Sequence, residues 1–208
     1  MTVSGYKKSV KRIRKALLTA GATIMLMASL CACGAAKEDV TKIIVNKDGT
    51  ILNEIYDNFE EDYYQLSELE DMAAKEISYY NSEYITPKIN LDESELDDNG
   101  RVTLKINYNS YIDYAHFNQI TFFYGTVEEA YSRGFSIPED LVNSDGEKMS
   151  FDNLKELDER HVIISGDKNR IEAPYNISYM TRNVTLTDKR EADLSEVSED
   201  LAWLLLSK

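Results

Sequence analysis

Cysteine stops early in this chain. Cys31 and Cys33 are the only two, so everything downstream lacks a thiol nucleophile, a thiolate metal ligand and any internal disulfide. Histidine is nearly as scarce: His116 and His161 stand 45 positions apart, which rules out the H-E-x-x-H pattern of a helical zinc site. No G-x-S-x-G elbow, Walker loop or G-x-G-x-x-G fingerprint occurs. With nine glycines and three prolines, the chain is not of low complexity. Long apolar runs are missing as well. Residues 17–30, LLTAGATIMLMASL, form an uncharged, largely apolar stretch of fourteen residues, about 21 Å of helix, whereas a membrane span takes about 20 residues.

Positive charge is deficient and unevenly placed. The chain holds 37 Asp and Glu against 23 Lys and Arg, for a net charge of −14. Six of the basic residues (Lys7, Lys8, Lys11, Arg12, Arg14 and Lys15) precede residue 17, with no acid among them. A basic segment followed by a short apolar run has the form of a secretory signal rather than a permanent transmembrane helix. Where an ordinary signal has A-x-A, this chain reads Leu30, Cys31, Ala32, Cys33, Gly34. That stretch resembles the lipobox of bacterial lipoproteins. The resemblance implies cleavage between Ala32 and Cys33, a diacylglycerol on Cys33 and acylation of the new terminus, with Cys31 leaving in the signal. The alternative frame ending at Cys31 puts bulky Leu30 where the motif takes a small residue.

Two other uses of C-x-C compete. Half of a zinc site would need two more thiolate or imidazole ligands, for which only the two distant histidines remain. A disulfide between residues two apart would be strained. Lipid anchoring has the simpler physics, since each buried CH₂ contributes about 0.8 kcal/mol and two chains hold where one does not. The expected organisation is therefore a signal peptide over 1–32, an anchor and short tether over 33–40, and one extracytoplasmic domain over 41–208. The expected location is the outer face of a bacterial cytoplasmic membrane, of Gram-positive type. Without residues 1–32 the chain keeps 17 basic against 37 acidic side chains, a net charge of −20. A surface so acidic repels phosphate backbones, so nucleic acid is not an expected partner.

Along the domain, TKIIV (41–45) and TILNEIY (50–56) flank NKDG and predict a hairpin. From Leu66 to Tyr84 the apolar positions Leu66, Leu69, Ala73, Ile77, Tyr80 and Tyr84 recur every three or four residues, predicting a long amphipathic helix, with Ser67 and Glu70 at capping-box spacing. ITPKINL (85–91) and RVTLKINY (101–108) predict a strand pair around an acidic connection that turns at Asn99-Gly100. Short helices are expected at 110–118, capped by Ser110, and at 126–134, where Thr126 and Glu129 fit a capping box and Gly134 a C′ position. A strand at 119–125 separates them. HVIIS (161–165), NRIEA (169–173), NISYM (176–180) and NVTLT (183–187) read as a meander of short strands. Residues 194–206 suit a helix or a buried strand equally. Together these predict a single α+β domain: short antiparallel strands, one long amphipathic helix and two or three short ones. The ordering of a KDGT-like turn, an acidic DYY segment and an amphipathic helix also resembles a group of uncharacterised bacterial cell-surface lipoproteins, a family that brings no activity with it.

Candidate chemistry is sparse. In DESELDDNG (92–100), matching Gly100 to the glycine of an EF-hand loop makes Glu95, Asp97 and Asn99 weak calcium ligands, but the twelfth position is Ile106 where a bidentate carboxylate is needed. A solvated connection explains the same residues. The acid pairs Glu60-Glu61 and Glu128-Glu129 are unremarkable among 37 acids. Tyr63-Tyr64 and Tyr79-Tyr80 could stack on sugars, or simply pack. Asn176 and Asn183 head N-x-S/T triplets that a bacterial lipid signal makes accidental. The sequence thus names no cofactor and no catalytic residue. It reads as a non-catalytic binding or interaction module held to the membrane through Cys33, its partner an unidentified envelope protein or small ligand. Rival readings are an envelope enzyme with a site of dispersed acids and tyrosines, and a ligand-binding lipoprotein serving a transporter.

Overall fold

The computed structural model describes residues 40–58, 65–150 and 157–207. In chain order its elements are β1 (Lys42–Val45), β2 (Ile51–Asn58), α1 (Leu66–Asn81), β3 (Ile89–Leu96), β4 (Arg101–Tyr108), α2 (Tyr111–Asn118), β5 (Phe122–Thr126), α3 (Val127–Ser132), β6 (His161–Ser165), β7 (Arg170–Glu172), β8 (Ile177–Met180), β9 (Thr185–Asp188), β10 (Glu191–Asp193) and β11 (Ala202–Leu206). Among the described residues the strands form two sheets. The larger has seven strands in the order β3-β4-β2-β1-β7-β10-β9, the smaller four in the order β5-β6-β11-β8.

The expected α+β class is overturned: strand accounts for 38% of the described residues and helix for 20%. No long amphipathic helix organises the domain. α1 has 16 residues, of which only Ile77 and Tyr80 are buried. Leu66, Leu69 and Ala73, which belong to the same apolar stripe, are only half-covered. Nor does Ser67 cap the helix, since Gln65 holds the N-cap without a side-chain hydrogen bond. Helical periodicity was present in the sequence, but the core is assembled by strand alternation instead. β4 buries every second residue, Val102, Leu104, Ile106 and Tyr108, as a sheet with one covered face requires.

Two apolar layers result. One cluster joins Ile43, Val45, Ile51 and Ile171 of the large sheet to Phe122, Tyr124, Ile163, Leu204 and Leu206 of the small one, with Ile77, Tyr80 and Tyr114 from α1 and α2. A second lies on the far side of the small sheet, where Phe123, Val162, Ile164, Trp203 and Leu205 meet Val127, Ala130, Leu141, Met149 and Leu157. With apolar cover on both faces, β11 is buried throughout, and this explains LAWLLL: alternation disappears where neither face meets water. The end of the 194–206 segment is thus a strand.

The expected meander is corrected as well. β6 and β8 flank β11 in the small sheet. β7 crosses to the large sheet and runs parallel to β1, and β10 pairs with both β7 and β9. The acidic connection is shorter than expected, because β3 continues through Asp92 to Leu96 with a bulge between Leu91 and Glu93. The expectations at Ser110, at Thr126 with Glu129, and at Gly134 match the caps found there.

The other face of the large sheet is half-buried and sets acids against bases on neighbouring strands. Glu93 pairs with Lys105 at 2.7 Å, and Lys42 with Glu54 at 3.5 Å and Glu172 at 3.2 Å; Arg170 reaches Glu191 at 3.4 Å and Asp193 at 3.5 Å. Lys105 and Glu54 stand directly opposite each other between these pairs. Opposite charges on neighbouring strands support the register.

Candidate functional site

β1 and β7 are the one parallel pair of the large sheet among the described residues, and their pairing ends at Ile44 opposite Glu172. Past that point lies an open groove of about 460 Å³, lined by Ile44 to Asp48 on one side and by Glu172, Ala173, Pro174 and Arg190 on the other. The β1–β2 turn forms one wall. Its Gly49 N–H donates to the Asn46 carbonyl at 3.0 Å, and the Asn46 N–H to the Thr50 carbonyl at 3.0 Å. Gly49 takes φ +83°, the left-handed conformation that completes a three-residue hairpin loop. The Thr50 hydroxyl and N–H both donate to Asp48 Oδ1, at 2.7 and 3.1 Å. These hydrogen bonds hold the Asp48 carboxyl below the usual range. Lys47 is left pointing at aromatic surface, its Nζ 5.5 Å from the centre of the Tyr175 ring, within cation–π range.

Beside this turn the two sheets meet through a run of rings. His161 stacks on Tyr124 with centroids 5.4 Å apart and packs against Tyr175 at 5.5 Å. Tyr124 is buried, and its hydroxyl makes no hydrogen bond to protein. Burial, reinforced by Tyr175 and Asp48, pushes its phenol up to about 12. On the other wall Glu172 is doubly occupied: Oε2 receives Lys42 Nζ at 3.2 Å and Oε1 lies 3.6 Å from Arg190 Nη2. Glu172 is thus engaged at both carboxylate oxygens, whereas Asp48 is engaged at Oδ1 alone.

A second polar cluster lies inside the core. The Tyr80 hydroxyl donates to Asp113 Oδ1 at 3.1 Å, the Tyr84 hydroxyl donates to Tyr80 at 3.2 Å, and the Ser110 hydroxyl donates to Asp113 Oδ2 at 2.6 Å. Ser110 in turn accepts the Asp113 N–H at 3.1 Å. This is an enclosed helix cap: Tyr80 and Asp113 are buried, so the cluster ties α1 to the amino end of α2 and offers nothing to a solute.

The residues singled out from sequence scatter. Ala32 and Cys33, Glu60-Glu61 and Tyr63-Tyr64 lie outside the described residues. Glu95 is on β3 and exposed. Asp97 and Asn99 form the β3–β4 turn, where Asp97 Oδ1 accepts the N–H groups of Asn99 and Arg101, both at 2.8 Å. These backbone bonds hold the Asp97 carboxyl below its ordinary value and turn it onto its own loop. Among the described residues, no three His, Cys, Asp or Glu side chains converge as a metal site requires. Tyr79 faces solvent while Tyr80 enters the core, so the pair is not a platform. Of the acid pair at 128–129, Glu129 closes the cap of α3 by accepting the Thr126 N–H at 2.7 Å. His116 is exposed on α2, whereas His161 belongs to the ring stack.

Sequence reasoning identified NKDG as a turn but missed the groove it helps to form. Glu172 and Arg190 lie about 130 residues away, and only the parallel pairing of β1 with β7 brings them to Asp48. No protein-family model, curated protein or solved structure matches this chain.

Proposed function

We propose that this protein is a bacterial lipoprotein, anchored through Cys33 on the outer face of the cytoplasmic membrane, whose β-rich domain binds a ligand or partner without transforming it. The anchoring part rests on the basic segment, the fourteen-residue apolar run and LCACG. The binding part rests on one observation: the carboxylates lining the groove serve their own fold, Asp48 through Oδ1 to Thr50 and Glu172 through both oxygens to Lys42 and Arg190. Acids held in this way do not supply the poised base that proton-transfer chemistry needs. An open groove carrying both signs of charge suits recognition instead.

Metabolic labelling with a fatty acid tests the anchor. Label is expected on the wild type and none on Cys33→Ala; label retained after that substitution sinks the assignment. Thermal-shift screening of sugars, peptides and cations against the chain tests the binding role. Turnover of a wall-derived substrate, abolished by replacing one carboxylate in a variant that still folds, overturns the non-catalytic reading.

A further inference from the structure

We infer that the β3–β4 turn shields its own Asn99–Gly100 bond from deamidation, and that Asp97 imposes the restraint. The inference is independent of the binding role proposed above. No other asparagine in the chain is followed by glycine. Glycine has no Cβ, so nothing on residue 100 screens its nitrogen from the amide of the preceding side chain. Asn99 is also exposed, and water reaches it. By sequence and exposure alone, this is the labile amide of the chain.

Deamidation needs both reacting groups to be free. The Gly100 nitrogen gives up its proton to solvent base and attacks Asn99 Cγ. The Cγ–Nδ2 bond then breaks, and Nδ2 leaves as ammonia with a proton from water. A second water opens the cyclic imide to aspartate or isoaspartate at position 99. In the folded turn each reactant is tied to Asp97. The Gly100 N–H donates to the Asp97 carbonyl at 3.0 Å, so the proton that must leave is engaged. Asn99 Nδ2 donates to Asp97 Oδ2 at 3.4 Å, which holds the amide toward Asp97 through its leaving group. Asp97 Oδ1 accepts the N–H groups of Asn99 and Arg101, both at 2.8 Å, and so fixes the backbone on either side of Gly100. The Asp97 N–H closes the loop onto the Arg101 carbonyl at 2.9 Å. Ring closure must break the first two contacts and rotate Cγ onto the nitrogen against the backbone pair. An unfolded chain carries none of these restraints, and losing hydrogen bonds of this kind is worth about tenfold in rate.

The test is to incubate the full chain at mildly alkaline pH, folded and in denaturing urea, and to follow conversion at residue 99. Peptide mass mapping with fragmentation reads the change from amide to acid and the isoaspartate formed. The folded wild type should convert about tenfold more slowly than the same chain in urea. Asp97→Ala should recover most of that gap while folded. Asp98 is the control: it is an exposed acid in the same turn, so Asp98→Ala removes a neighbouring charge but leaves the Asp97 bonds, and its rate should stay near that of the wild type. If Asp97→Ala is unfolded at the assay temperature, Asp97→Asn decides. That variant keeps an acceptor oxygen for the two backbone N–H groups, loses the carboxylate facing Asn99 Nδ2, and should still convert faster than the wild type. Equal rates for folded and denatured wild type overturn the inference. So does a folded Asp97 variant no faster than the wild type, or an Asp98→Ala rate raised as far as that of Asp97→Ala, which would assign the protection to charge instead of to the bonds of Asp97.

Discussion

The Tyr80 hydroxyl donates to Asp113 Oδ1 at 3.1 Å across 33 residues of sequence, joining the carboxyl end of α1 to the first turn of α2. Both residues are buried, so the bond cannot be exchanged for one to bulk water. Tyr80→Phe should therefore destabilise the fold by about 1–3 kcal/mol, because it leaves a buried carboxylate oxygen short of a donor. Chemical denaturation measures the loss. Replacing Tyr79, which is exposed, should change stability by less than about 0.5 kcal/mol; equal effects at the two positions would contradict the buried cap.

Three buried tyrosines make stability sensitive to alkali. Burial raises the phenols of Tyr80 and Tyr108, the Tyr84 hydrogen bond and the Asp113 charge adding to the effect at Tyr80, and Tyr124 is pushed up to about 12. An unfolded tyrosine titrates near pH 10. Below that pH the phenols are protonated in both states and their contribution is intact. Above it the unfolded chain sheds protons first, so stability falls as pH rises. Lys42 acts in the same direction: burial opposes its charge, but Glu172 and Glu54 outweigh burial and raise its pKa. Denaturation midpoints should drop between about pH 10 and about pH 12, with tyrosinate absorbance appearing in step. A flat profile over that window would show that these phenols are not sealed.

Asp97 serves its turn rather than an ion. Asp97→Ala removes the acceptor of two backbone N–H groups and should lower the melting temperature. Calcium should leave the melting temperature of wild type and variant unchanged. A calcium-dependent rise in the wild type, lost in the variant, would restore Glu95, Asp97 and Asn99 as ligands.

Arg160 ties the small sheet together at its end. Its Nε donates to the Leu206 carbonyl at 2.7 Å, and its guanidinium also reaches the Ser178 hydroxyl, linking the start of β6 to β8 and β11. Arg160→Lys should lose about 1–3 kcal/mol despite keeping the charge, since an ammonium cannot span both partners in the same planar geometry. Thermal unfolding of Arg160→Lys beside Arg160→Met distinguishes geometry from charge: if lysine restores full stability, the fork is not what matters.

Local chemistry was readable from the residues alone. Asn46 to Thr50 make a hairpin because glycine at position 49 accepts a positive φ and Asp48 bonds to Thr50. Ser110 and Thr126 cap helices because their hydroxyls accept the N–H groups of Asp113 and Glu129 three residues on. The strands at β1, β2, β4, β5 and β6 follow from β-branched and aromatic runs, and the charge balance follows from counting. Each of these depends on interactions within a few residues, and such interactions are written in the order of the chain.

Tertiary structure decided the rest. Whether 201–206 is helix or strand turned on β6 and β8 covering both edges of β11, with apolar layers on both faces, and periodicity cannot register that environment. Whether α1 dominates the core turned on how much of its stripe is covered, and within the helix only Ile77 and Tyr80 are buried. The parallel join of β1 to β7 spans about 130 residues and rests on pairing energies that no local pattern encodes. The groove lined by Asp48 and Glu172 exists only because that join is made, so its two walls become neighbours through the fold and through nothing nearer in the sequence.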